Sequence, residues 1–343
     1  MNDDATPTAP AAGVVSRSGS GDRVDPVDPV DPAAPADLVD AVALLAAGEA
    51  AALGGAPGDA EASLRPLVHS SGPFAARARW LLAVAAGAQG RYADALGSLR
   101  PLIEDDAVLP VLRAAACATS ASLLRQIGDH PSAEPFDARG VALLTGRPPG
   151  IGVDEALDCA VGLTADAVGT GDLVDARRRL DDARGLAVAG GPVPPGWRPL
   201  VRLRWVEAEV ALLAGDVATA AVAGTAAHVL AAAAGAIRHR TKSAMFAGVA
   251  LALAEGPDAA RGLLLDAARD ADSHGLLPLV WPLRAVLATM PGLAADELAA
   301  QQHLDVARAA VVRIAAGLPE VRVRTWTARD PMAAYLLGSD AQP

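Results

Sequence analysis

The chain has 343 residues, 29 Lys+Arg against 40 Asp+Glu for a formal net charge of −11, and 52% hydrophobic residues. That acidity argues against direct binding to nucleic acid or to an anionic membrane surface, both of which need a basic face. Alanine supplies much of the apolar content, and because each methyl buries little area, such a core requires close backbone approach. Lys242 is the only lysine and Asn2 the only asparagine, a bias in keeping with a GC-rich coding sequence.

Residues 1–36 hold three consecutive Val-Asp-Pro units (Val24–Pro32) amid Gly, Ser and Pro. With no apolar periodicity and with prolines that forbid helix or sheet, this stretch is expected to be a disordered tail. Asp3 and Asp4 stand where a secretory signal would need a basic and then an apolar run, so none is expected and a cytoplasmic location follows. From Asp37 onward apolar residues recur at three- and four-residue spacing, punctuated by Gly, Gly-Asp or Pro. The spacing predicts helices over 37–53, 57–69, 74–88, 91–104, 108–127, 131–144, 153–169 and 172–188. It continues with 197–214, 217–234, 238–254, 257–273, 278–289 and 294–316. The array thus spans 37–316, and 317–343 forms a C-terminal extension. There Val321–Thr325 alternates as a strand would, and a short helix near Pro331–Leu337 caps the end.

Val217–Ile237 carries no formal charge over 21 residues, long enough for a membrane crossing. Its residues are mostly Ala, interrupted by Thr219, Thr225 and His228, so the drive to insert is weak and a helix buried inside the array is expected. Cys117 and Cys159, the two cysteines, lie in apolar helical stretches. They are too few for a structural zinc site and read as buried core residues in a reducing compartment.

The string Ser-Leu-Arg-Pro-Leu occurs at Ser63–Leu67 and again at Ser98–Leu102, an offset of 35 residues. Gly55, Gly90, Gly128, Gly171 and Gly215 follow at intervals of 35, 38, 43 and 44, the last three each preceding an aspartate. Self-similarity at this period marks stacked units, each too small to bury its own apolar face. Glycine suits a helix end with positive φ, and the aspartate suits the N-cap of the next helix. Small residues twelve apart flank each turn: Ala83 and Ala95, Ala121 and Ala133, Ala208 and Ala220, with Thr164 and Ala176 in the fourth. They let two antiparallel helices cross closely.

The unit Phe74–Ala107, with Gln89-Gly90-Arg91-Tyr92-Ala93-Asp94-Ala95-Leu96 at its turn, resembles the tetratricopeptide repeat family. The resemblance extends over about residues 40–275, with later units longer than the usual 34 residues. The C-terminal half also resembles the divergent repeat regions of large bacterial transcriptional activators, here without a helix-turn-helix or nucleotide-binding segment. What the resemblance implies is an all-α superhelix of antiparallel helix pairs whose concave face binds a protein or peptide. In the family a large aromatic sits eleven residues before the turn glycine. Trp80 and Trp205 each stand ten before theirs, so the rings either face the groove or stay in the core. Peptide-binding members clamp a chain terminus with asparagine and lysine, and with no asparagine in the array that clamp cannot operate here.

No Gly-x4-Gly-Lys-Ser/Thr, His-Glu-x-x-His or Gly-x-Ser-x-Gly occurs, and Gly150-Ile151-Gly152 lacks the third glycine and preceding strand of a dinucleotide site. His228 in its Ala run reads as a satisfied core imidazole. No enzyme, metal or cofactor is expected. Arg177-Arg178-Arg179 with Asp181 and Asp182 reads as a surface helix laced by i,i+3 and i,i+4 pairs. The sharpest charged feature is Arg238-His239-Arg240-Thr241-Lys242 opening one helix, with Arg198, Arg202 and Arg204 opening the helix two earlier. First helices of successive units lie side by side, so these starts can merge into a basic patch suited to an acidic peptide or carboxylate. The opposing reading is a solvated face neutralised by Glu207 and Glu209, since cations at a helix start oppose the macrodipole. Candidate partner-binding residues are therefore Trp80, Arg198, Arg202, Trp205, Arg238 and Lys242. The expected function is a non-catalytic scaffold that binds a protein or peptide in its groove. The alternative is a ligand-sensing module acting on a transcriptional partner.

Overall fold

The computed structural model describes residues 34–70, 73–148, 150–189 and 194–338, with side chains from residue 38. Of the expected tail, residues 1–33 lie outside the described residues, while 34–36 already belong to the first helix. The chain is an all-α superhelix of antiparallel hairpins, with no strand among the described residues. Helices α1 (Ala34–Gly54) and α2 (Pro57–Val68) form the first hairpin, α3 (Ala75–Ala88) and α4 (Tyr92–Glu104) the second, α5 (Pro110–Arg125) and α6 (His130–Leu144) the third. They are followed by α7 (Val153–Gly169) with α8 (Leu173–Ala189), α9 (Trp197–Leu213) with α10 (Val217–Ala233), and α11 (Ile237–Glu255) with α12 (Pro257–Ser273). Last come α13 (Leu277–Thr289), α14 (Glu297–Ala316), α15 (Glu320–Arg329) and α16 (Pro331–Leu336).

One local expectation fails. Val321–Thr325 is not a strand but the first half of α15. The alternation of Val321 and Val323 misleads, because Val321 is exposed while Val323 and Trp326, three apart, face inward. Pro319 starts the helix and Arg324 pairs with Glu320 one turn back.

The turns repeat one hydrogen-bonding device. Arg91, Asp129, Asp172 and Asp216 each donate their backbone N–H to a carbonyl five residues back, at 2.9, 3.0, 3.0 and 2.8 Å. The glycine before each has φ of +79°, +69°, +77° and +76°, the left-handed geometry this closure requires. The Asp172 and Asp216 carboxylates then cap the next helix, accepting from Asp175 N at 2.9 Å and Thr219 N at 3.0 Å. Asp129 does not cap; its carboxylate pairs instead with Arg322 of α15.

Within hairpins, Ala83, Ala95, Ala121, Ala133, Thr164, Ala176, Ala208 and Ala220 are all buried at the helix crossings. The repeated pentapeptide has the same cause in both copies: Leu64 and Leu67, and Leu99 and Leu102, face inward three residues apart. Helix α10 is not wholly buried as expected. Ala220, Ala223, Ala227 and Ala231 face the array, but Val222 and Val229 stand in solvent. No described helix is long and apolar enough to cross a membrane.

Helices α1, α3, α5, α7, α9, α11 and α13 each touch the next in that series and form the inner wall. The superhelix then closes on itself, with α1 touching α11. A Cβ added at Gly55 would meet Arg238 of α11, one at Gly90 would meet Ile314 of α14 and Leu277 of α13, and one at Gly128 would meet Arg329 of α15. At Gly171 and Gly215, halfway round, it would meet nothing. One core cluster accordingly joins Trp80, Leu81 and Tyr92 near the start to Val311, Ile314 and Trp326 near the end. Closure narrows the expected groove into a partly open chamber.

Candidate functional site

The chamber has a volume of about 410 Å³ and is lined from the inner helices. Glycine and alanine on α3, α5 and α7 (Gly87, Ala118, Gly162, Ala165) make the room for it. The rest of its wall divides into an apolar side and a charged side.

On the charged side stand Arg125, Arg198, Arg202, Arg238 and Lys242, with Glu209 among them. Asp158, itself buried, takes both Arg198 and Arg202, the latter at 2.6 Å. Arg125 reaches Asp137 at 2.5 Å and Asp166 at 3.1 Å, and His130 Nδ1 lies 3.2 Å from the other Asp166 oxygen. A Cβ at position 162 would fall 2.0 Å from the Asp137 carboxylate, so Gly162 is what admits that acid. Burial pushes Asp137 up to about 7, with Arg125 opposing the rise and Asp166 adding to it.

Arg238 and Lys242 retain some exposure because they face the chamber, yet both lie deep in the molecule. Burial, with Arg202 and Arg198 nearby, pulls the Arg238 guanidinium down to about 10. Lys242 falls to about 8 by burial, Glu209 opposing and Arg238, Arg202 and Arg125 assisting. Glu209 is itself raised by burial. Next to them His239 is held well below 6.5, first by burial and then by the surrounding cations, and is neutral.

The apolar side carries Trp205, Phe246, Met245, Leu279 and Trp281. The Lys242 ammonium lies 4.4 Å from the Trp205 ring centroid and 5.5 Å from that of Phe246, a cation–π pairing on two rings. Trp205 also stacks on His239 at 5.4 Å, and its Nε1 donates to Ser243 Oγ at 2.8 Å. Trp80 is held in the same way: its Nε1 donates to Thr119 Oγ1 at 2.9 Å, on the next inner helix. The two rings are equivalent core wedges between successive inner helices. Only Trp205 also reaches the chamber; Trp80 is 3% exposed and outside its lining.

Five of the six sequence candidates, Arg198, Arg202, Trp205, Arg238 and Lys242, thus meet around one space. Of the two acids expected to neutralise the basic helix starts, Glu209 enters the chamber, and Glu207 pairs with Arg204 at 2.6 Å as expected and also with Arg184 at 2.9 Å. Arg178 pairs with Asp182 at 3.1 Å as expected, whereas Arg178 and Arg179 also reach back to Asp175, at 2.6 and 2.5 Å, and His228 Nδ1 lies 3.3 Å from the Arg240 carbonyl. Sequence reasoning missed Arg125, Phe246 and Trp281. A signal for Arg125 exists: Asp137 and Asp166 interrupt apolar helix faces, and a buried acid requires a cation. Cys117 and Cys159 are free, buried thiols pushed up by burial, Cys117 to about 11, which keeps both protonated.

No family model matches the sequence, and no curated protein is significantly similar to it. Among solved structures the chain is similar to a Rap protein complexed with Competence and Sporulation Factor, with a TM-score of 0.57 at 10% identity. The match covers 81% of this chain and 77% of that one. At this identity the likeness is one of fold, and it supports a tetratricopeptide-like helical-repeat architecture.

Proposed function

We propose that the chain is a non-catalytic helical-repeat binding protein that draws a short peptide, or an extended segment of a partner protein, into the chamber of its concave face. The observation that carries this is the chamber itself, with an apolar side bearing three aromatic rings and a charged side bearing five cations, between the inner helices. Its 410 Å³ falls in the range of about 300–1,000 Å³ usual for ligand pockets, far below what a folded domain needs. Aromatic rings supply apolar area and arginines supply orientation, the usual division of labour in recognition. The structural neighbour is a Rap protein held in a complex, so this architecture accommodates a binding partner in one other chain. Neither buried thiol nor the neutral His239 is placed or charged as a nucleophile–base pair would be.

Selection of random short peptides on the full chain, followed by calorimetric titration, tests the proposal. Enriched peptides should bind the wild type and lose about tenfold or more with Arg202→Glu or Arg238→Glu. Failure to enrich any peptide, or equal affinity for both variants, would overturn it. A ligand-sensing role acting on a transcriptional partner is the second reading. It is favoured by Leu53 of α1 and Trp281 of α13 lining the same space, so that one occupant touches both ends of the array. Stabilisation by metabolites but by no peptide would select that alternative.

A further inference from the structure

We infer that the chamber is an organic-anion receptor: an oxyanion, carboxylate or phosphate, sits on Arg238 and Lys242, and the flat apolar body attached to it lies against Trp205 and Phe246. This rests on taking the chamber as a binding site and specifies the chemistry that enters it.

Five cations, Arg125, Arg198, Arg202, Arg238 and Lys242, stand against four carboxylates, Asp137, Asp158, Asp166 and Glu209, and the surplus gathers on α11. Asp158 is one carboxylate serving two guanidinium groups, Arg198 and Arg202. Arg238 has no carboxylate partner among the described residues; the groups that act on it are Tyr92 and two further arginines. Lys242 has Glu209 as its opposing charge, but burial raises that acid and so weakens it as a counterion. His239 contributes nothing, being neutral. Arg125, whose side chain is 10% exposed, lines the same chamber but already faces two acids. Its Nη1 serves Asp137 and Asp166, while Nη2 is buried without a hydrogen-bond partner among the described residues. That donor shows no surface to the chamber, so Arg125 adds to the positive field there without itself seating a ligand. The cations of α11 also stand in its first two turns, where they oppose the helix dipole; an anion there interacts favourably with both. Trp205 and Phe246, 6.4 Å apart, form the adjoining aromatic surface.

A matched pair of probes tests this on the full chain. 1-Anilinonaphthalene-8-sulfonate carries an oxyanion on a flat body, and N-phenyl-1-naphthylamine is the same body without it. The wild type should bind one sulfonate probe per chain, about tenfold or more tighter than the neutral one. The Arg238→Gln and Lys242→Met variants should lose that preference while still binding the neutral probe, and added salt should narrow it in the wild type. Displacement by benzoate, by inorganic phosphate or by both then identifies the oxyanion the site accepts. Equal affinity for the two probes in the wild type, or a preference untouched in both variants, would overturn the anion receptor while leaving the chamber as a binding site. Should neither probe enter, the chamber reading fails as well. The salt series on the wild type keeps the test decisive even if a variant does not fold.

Discussion

Trp326 is the residue through which closure of the superhelix is best interrogated. It is fully buried in the cluster that joins the first repeats to α14–α16, and it meets Trp281 edge-on at 5.9 Å. Trp281 in turn lines the chamber. Replacing a buried tryptophan by alanine costs about 3–5 kcal/mol through lost transfer energy and the cavity left behind. That is a large share of the roughly 5–15 kcal/mol that holds a domain folded. The ring also carries a liability: its Nε1 is buried with no acceptor among the described residues, a defect worth about 1–3 kcal/mol. Phenylalanine keeps most of the ring and removes the orphan donor. Trp326→Ala should therefore lose about 3–5 kcal/mol, while Trp326→Phe stays within about 1 kcal/mol of wild type. Urea unfolding followed by far-ultraviolet circular dichroism gives both values. Hydrogen exchange should show α14–α16 opening first in the alanine variant, together with the turns at Gly90 and Gly128 that they cover. An alanine variant that loses less than about 1 kcal/mol, with exchange unchanged, would refute the idea that this contact holds the ends together.

Two further outcomes follow from the geometry. Gly90 and Gly215 have nearly the same φ, +79° and +76°, but a Cβ at Gly90 would fall 2.6 Å from Ile314 Cγ1 whereas at Gly215 it would meet nothing. Gly215→Ala should cost about 1 kcal/mol for the left-handed backbone, and Gly90→Ala about 1–3 kcal/mol more; equal costs in chemical denaturation would mean that the closing contact carries no energy. Asp137 binds its proton more tightly folded, near 7, than at its ordinary 3.8. The stability it contributes is present at the acid end and lost as pH rises through that window, at up to about 1.4 kcal/mol per pH unit. Asp137→Asn should flatten the melting-temperature profile between pH 5 and about 7.5, and profiles that run parallel to wild type would contradict this assignment.

The hairpins themselves were legible along the chain because every determinant is local. The glycine that needs positive φ, the inward leucines three apart and the small pair twelve apart all act within one unit, and their burial matches that origin. The basic run opening α11 and the arginines of α9 were equally visible, since adjacent inner helices must present their starts together. Closure was not legible. It arises from small rotations accumulated over six hairpins, and no pair of neighbouring residues records their sum. For that reason the tertiary structure alone decided three things. Gly55, Gly90 and Gly128 support later helices as well as their own turns. Asp129 abandons its N-cap for Arg322, 193 residues away. Val321–Thr325 lies in the helix that seats Trp326 in the core of the first repeats. The charges divide in the same way. Composition dictated an acidic molecule, whereas superhelical closure placed five of its cations around one interior space.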